Sequence, residues 1–122
     1  MSIVKKKQVK HKKLLAKGVC ACPGIARGRA VIIYNPATSI KVKKGVILVA
    51  EFTTPLLAVA LSRCAGLVLA SGGLTAHGAV IAREFGIPCV VGASGALKSI
   101  KSGILIEVNA TGGKIYEIRH QR

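Results

Sequence analysis

The chain has 122 residues, 51% of them hydrophobic, and a formal net charge of +15 from 19 basic and 4 acidic side chains. That length suits one domain with its own core, and the apolar content excludes a mostly disordered chain. No apolar run approaches the roughly 20 residues that cross a bilayer as a helix, so no membrane association is expected and the chain reads as cytoplasmic.

In chain order, residues 1–17 carry seven lysines, including the run Lys5-Lys6-Lys7-Gln8-Val9-Lys10-His11-Lys12-Lys13. They read as a solvated basic tail ahead of a domain at 18–122. Without apolar periodicity to bury, removal of residues 1–13 is expected to leave the fold intact. Such a tail can hold nucleic acid through phosphates alone. The aromatic residues of a single-strand platform are absent, which disfavours that partner but keeps it as an alternative.

Val19–Cys22 and Gly28–Tyr34 read as strands on either side of Pro23-Gly24, the second ended by Asn35-Pro36. Val46–Ala50 is a further strand, and Pro55 opens a helix running to about Arg63. Gly66–Ala70 is a buried strand, Cys89–Val91 a short one and Ser94–Ile100 a short helix. Ile104–Val108 and Lys114–Ile118 form a hairpin about Asn109–Gly113. The strand–helix alternation from Val46 to Val91 predicts an α/β domain with a parallel core sheet, and the flanking strands predict an additional antiparallel element.

Ser71–Pro88 is the stretch with chemistry in it. Gly72 and Gly73 let backbone amides approach a ligand, Thr75 suits an N-cap, and 76–85 has the composition of a helix. Gly86 suits its C-terminal stop, with Pro88 just beyond. His77 then falls in the first helical turn, where unpaired amides and the helix dipole favour an anion. The positive end favours a neutral, nucleophilic imidazole and would stabilise a phosphoryl group on the ring. The dipole is worth about 0.3–2 kcal/mol, so it assists the chemistry without carrying it. At about 100° per residue, Ile81, Phe85, Gly78, Ala82 and Ala79 form the packed side. His77, Glu84, Val80 and Arg83 form the outer side. The plainer alternative is a histidine that only caps a helix, because glycine-rich strand-to-helix turns are common in α/β proteins.

The run Gly72-Gly73-Leu74-Thr75-Ala76-His77-Gly78-Ala79-Val80-Ile81-Ala82-Arg83-Glu84-Phe85-Gly86-Ile87-Pro88 resembles the phosphohistidine signature of phosphoenolpyruvate-utilising enzymes. That family includes phosphoenolpyruvate synthase, pyruvate phosphate dikinase, rifampin phosphotransferase and the first enzyme of the sugar phosphotransferase system. Gly18–Gly28, Thr54-Pro55 and Ala65-Gly66 also resemble its residues. Ala76 departs from the serine or cysteine frequent in the family, and Cys22 from its usual serine. The resemblance implies a β/β/α swivelling domain whose histidine takes a phosphoryl group at one active site and delivers it at another. It implies His77 as acceptor through the N-epsilon nitrogen, and ATP-grasp and phosphoenolpyruvate-binding domains or subunits as partners.

The residues fit a component better than a whole enzyme. The acidic residues are Glu51, Glu84, Glu107 and Glu117, with no aspartate. No carboxylate pair is spaced to hold Mg²⁺ beside a phosphate. No metal or other cofactor is therefore expected on this chain, Mg²⁺ is expected on partner domains, and the chain alone is expected to turn over nothing. Gly72, Gly73 and Thr75 are assigned to the turn or the phosphate, Arg83 and Glu84 to partner docking. Cys20, Cys22, Cys64 and Cys89 lack a CxxC pair and read as small buried hydrophobes. A catalytically silent docking or regulatory module is the remaining alternative.

Overall fold

The computed structural model describes residues 10–37 and 40–120. Three parallel strands form the centre: β4 (Ile47–Ala50), β5 (Gly66–Leu69) and β6 (Cys89–Val91). Every residue in them is buried, as befits parallel strands covered on both faces. Alternation sorts their side chains. Ile47, Val49, Val68 and Val90 enter one core, and Leu48, Leu67, Leu69 and Val91 enter another.

The long strand β3 (Ile25–Ile33) joins two sheets. Its second half, Ala30–Ile33, runs parallel to β4, while its first half, Ile25–Arg29, pairs antiparallel with β7 (Leu105–Asn109). Beyond β7 lie β8 (Lys114–His120) and β1 (Lys10–Lys17), both antiparallel. At the opposite edge β2 (Val19–Cys22) pairs antiparallel with β6, so β2 and β3 part company at Pro23-Gly24. The complete order is β1-β8-β7-β3-β4-β5-β6-β2.

The first core joins the parallel strands to Ile106, Val108, Ile115 and Ala16 of the antiparallel ones, with Ala96 and Ile100 at the short helix α3 (Ala96–Ser99). On the second core lie a 3₁₀ turn (Pro55–Leu57), helix α1 (Ala58–Arg63) and helix α2 (His77–Phe85). The mixed α/β sheet, covered by antiparallel strands on one face and helices on the other, agrees with the expected fold class.

The N-terminal segment corrects the sequence reading. Residues 10–17 form an edge strand rather than a tail, with Ala16 in the core; residues 1–9 of the proposed tail lie outside the described residues. Lys12 reaches the buried carboxylate of Glu107, which is 2% exposed, at 3.0 Å, and Arg27 holds its other oxygen at 2.7 Å. The Lys12 ammonium also sits 5.8 Å from the centre of the Tyr116 ring. Burial opposes ionisation of Glu107, but the Arg27 and Lys12 hydrogen bonds and charges outweigh it and hold its carboxyl below the usual carboxylate range. Removing residues 1–13 would therefore cut into a strand and strip one cation from a buried acid.

Cys22, Cys64 and Cys89 are buried and Cys20 half-buried, all with free thiols. Burial pushes the Cys64 thiol up to about 11 and the Cys89 thiol up to about 12, which keeps both protonated at neutral pH. Among the described residues no helix is long and apolar enough to cross a membrane.

Candidate phosphoryl-acceptor site

The site lies at the carboxyl ends of the parallel strands, where ligands of open α/β sheets bind. Two loops build it: Glu51–Thr54 after β4 and Ala70–Ala76 after β5. The Ser71 amide and hydroxyl both donate to the Glu51 carbonyl, at 3.1 and 2.8 Å, and lock the loops together. Gly72 adopts φ +88°, a backbone conformation that favours glycine, so its assignment to the turn has a direct cause. Gly73 accepts from the Ala76 amide at 3.0 Å and closes the turn into the helix.

Helix α2 starts one residue later than expected. Its N-cap is Ala76, in extended conformation and without a side-chain cap, whereas Thr75 is exposed in the preceding turn. The cap assigned to Thr75 is thus corrected. Because the backbone enters the helix only after Ala76, the Thr75 hydroxyl sits outside the first turn. His77 becomes the first helical residue, and the amides of His77, Gly78 and Ala79 have no hydrogen-bond partner among the described residues. Gly86 closes the helix in the left-handed conformation, as its sequence position predicts.

The His77 ring is exposed and is held from below. Its Nδ1 lies 2.9 Å from Oγ1 of Thr53, a residue only 9% exposed. In the tautomer whose Nδ1–H donates to Thr53, the ring lone pair lies on Nε2, which has no partner among the described residues.

Gly78 makes this contact possible. A Cβ there would lie 2.9 Å from both Thr53 Oγ1 and Leu69 Cδ1. A Gly78→Ala variant is therefore expected to be destabilised by about 1–3 kcal/mol and to displace Thr53 from the ring. Thermal melts and the imidazole chemical shifts of His77 measure the two effects.

The small residues Gly78, Ala79 and Ala82 form the buried stripe of α2, centred about 150° from His77. Phe85, expected on the packed side, is 56% exposed. It lies roughly 70° off the stripe in the last turn, where close contact through small residues leaves a large ring outside.

Arg83 points back along the helix. Its guanidinium donates to the Ala21 carbonyl at 3.2 Å and the Leu74 carbonyl at 2.6 Å, tying β2 and the turn before the helix to α2. Glu84 is exposed and makes no ion pair among the described residues. Among the described residues no group of three His, Cys, Asp or Glu side chains is placed to hold a metal ion.

Thr53 is the site residue that sequence reasoning missed. The available signal was a Thr-Thr-Pro run two residues beyond an apolar strand. Nothing in the spacing linked it to a histidine 24 residues away.

The site is thus a histidine at a glycine-led helix N-terminus on a parallel-stranded α/β sheet, its inner nitrogen anchored and its outer nitrogen without a partner among the described residues. The family model described as "PEP-utilising enzyme, mobile domain" matches residues 42–113, and the chain belongs to that family. The chain is 42% identical over 110 residues to phosphoenolpyruvate synthase of Pyrococcus furiosus, covering 90% of this chain and 14% of the relative. It is 41% identical over 110 residues to a probable phosphoenolpyruvate synthase of Archaeoglobus fulgidus, covering 90% of this chain and 15% of that one. It thus spans about a seventh of the length of these relatives. Among solved structures, an Enzyme I (nEIt) NMR structure is similar at TM-score 0.53 and 28% identity, over 62% of this chain and 31% of that one. Aconitase X of Thermococcus kodakaraensis shares the fold at TM-score 0.63 and 19% identity, over 90% of this chain and 98% of that one.

Proposed function

We propose that this chain is a phosphoryl carrier that accepts a phosphoryl group on Nε2 of His77 and passes it between partner active sites in phosphoenolpyruvate, pyruvate and ATP chemistry. The observation that carries the reading is the 2.9 Å contact from His77 Nδ1 to buried Thr53, with Nε2 at a helix N-terminus and without a partner among the described residues.

The Nε2 lone pair forms the N–P bond as the donor's P–O bond breaks and its electrons leave with that oxygen. The ring gains positive charge in this step. Thr53 Oγ1, accepting from Nδ1–H, stabilises that charge and keeps the ring aimed. The free amides of the first turn of α2 face the phosphoryl oxygens. Gly72 and Gly73 bring the chain close to the same group, with Thr75 on the rim. Transfer also needs a positioned donor and metal-held charge. We assign these to nucleotide-binding ATP-grasp and phosphoenolpyruvate-binding domains or subunits carrying Mg²⁺, docked with help from Glu84 and the face near Arg83.

Incubation with such a partner and its labelled substrate is expected to place an acid-labile, base-stable phosphate on His77, and none on a His77→Ala variant. Equal labelling of both proteins sinks the reading. An unlabelled wild type beside a partner that phosphorylates its own cognate carrier favours the silent docking module. With ATP, phosphoenolpyruvate and Mg²⁺ but no partner, no turnover is expected. Sustained His77-dependent consumption of either substrate would require a complete active site within this chain.

A further inference from the structure

On the outer side of the helical layer, Ile40, Lys41 and Val42 face the 3₁₀ turn and α1 across an open groove. Its two lobes, about 410 and 430 Å³, share Lys41 and Val59 and are completed by Leu56 and Arg63. Leu56 is 54% exposed and Val59 70% exposed, although each lies beside a fully buried leucine or alanine of the same segment. The floor is aliphatic. The rim is cationic, with Lys43 and Lys44 continuing the loop that carries Lys41, and among the described residues no acidic side chain lines either lobe.

We propose that this groove docks an acidic amphipathic helix of a partner protein, whose apolar face covers Leu56 and Val59 while its carboxylates meet Lys41 and Arg63. Charge selects this occupant over the others. A second copy brings a net charge of +15 to a cationic rim, and residues 1–9 of this chain contain three lysines and no acid. Among the described residues no aromatic side chain lines the groove to stack a nucleic-acid base. An aliphatic trough with one charge sign along its rim is the usual receptor for an amphipathic helix, read through anchors one turn apart. The 3₁₀ turn begins two residues after Thr53, so one end of the groove adjoins in sequence the loop that holds His77. The inference adds to the carrier reading without needing it, because the groove is argued from its own lining.

The probe is a synthetic helical peptide with leucines along one face and glutamates on the other, titrated into the isotopically labelled full chain. Amide shifts confined to 40–42 and 56–63 are expected, with affinity falling as salt rises. Val59→Glu is expected to weaken binding at least tenfold, and so is Lys41→Glu/Arg63→Glu, which decides the matter if Val59→Glu fails to fold. The His77→Ala protein is expected to bind equally well, which separates this test from the labelling of the histidine. Equal binding of a scrambled peptide of the same composition, or shifts spread over the whole basic surface, overturns the proposal. Self-association abolished by Val59→Glu assigns the groove to a second copy. Val59-dependent binding to phosphatidylserine vesicles in place of the peptide assigns it to a membrane; either result overturns the proposal too.

Discussion

A Thr53→Val variant is expected to accept phosphoryl groups about a hundredfold more slowly than the wild type while melting at nearly the same temperature. Valine keeps the shape of threonine, so the packing of the loop against Gly78 survives. What disappears is the oxygen 2.9 Å from Nδ1. Without it the exposed ring can rotate, and the tautomer with its lone pair on Nε2 loses its preference. Misplacing a reacting atom by about an ångström costs on the order of 10² in rate. Single-turnover labelling with a cognate partner gives the rate, and a calorimetric melt gives the control. Thr53→Ser, which restores the oxygen, is expected to recover most of the rate. An unchanged rate in Thr53→Val would show that the hydrogen bond does not orient the nucleophile.

The second large effect is one of stability. In a Lys12→Met/Arg27→Met double variant the carboxylate of Glu107 stays buried with neither cation. Breaking a buried ion pair from one side costs about 3–5 kcal/mol, a large share of the stability of a domain this size. In the wild type the two cations hold the Glu107 carboxyl below its ordinary range. Their stabilising contribution is therefore present above the unfolded carboxylate value, about 4.3, and is lost as pH falls through the folded value. In the variant, burial without partners raises the carboxyl instead, so the penalty applies at neutral pH and fades as the group protonates. The gap between the two proteins in urea denaturation is expected to be widest near pH 7 and to close below about pH 4. A gap that is constant with pH would place the loss in packing rather than in the charge on Glu107.

Residue types reveal some of these features and conceal others. Ile47–Ala50, Gly66–Leu69 and Cys89–Val91 are short aliphatic runs bounded by turn residues, so their place in a parallel core could be read directly. The same holds for the terminal hairpin and for His77, because glycines before and after α2 mark its ends. Strand β1 could not be read this way. Its lysines hide the alternation, and what justifies Lys12 is a carboxylate 95 residues further on. Thr53 was illegible for the same reason, since its partner is set by the fold rather than by spacing. Phe85 misled in the opposite direction. A helical wheel gives angle alone and sets Phe85 near Gly78, whereas α2 approaches the sheet through glycine and alanine and leaves the large ring outside.

The pairing of β1 with β8 places Lys10 opposite His120. Strand β1 thus has no partner strand until β8, the last described strand, has been made. During synthesis, at about 5–20 residues per second, the chain from β2 to β7 emerges while the charged edge strand waits unpaired. Glu107 meanwhile has Arg27 within reach but no strand to bring Lys12 beside it. Contacts between distant parts of a chain form slowly, because the loop must close before they repay its entropy. Completion of this domain is accordingly a late, cooperative event that closes a ring in sequence. A ribosome-stalled chain ending before β8 is left with β7 as an open, unprotected sheet edge.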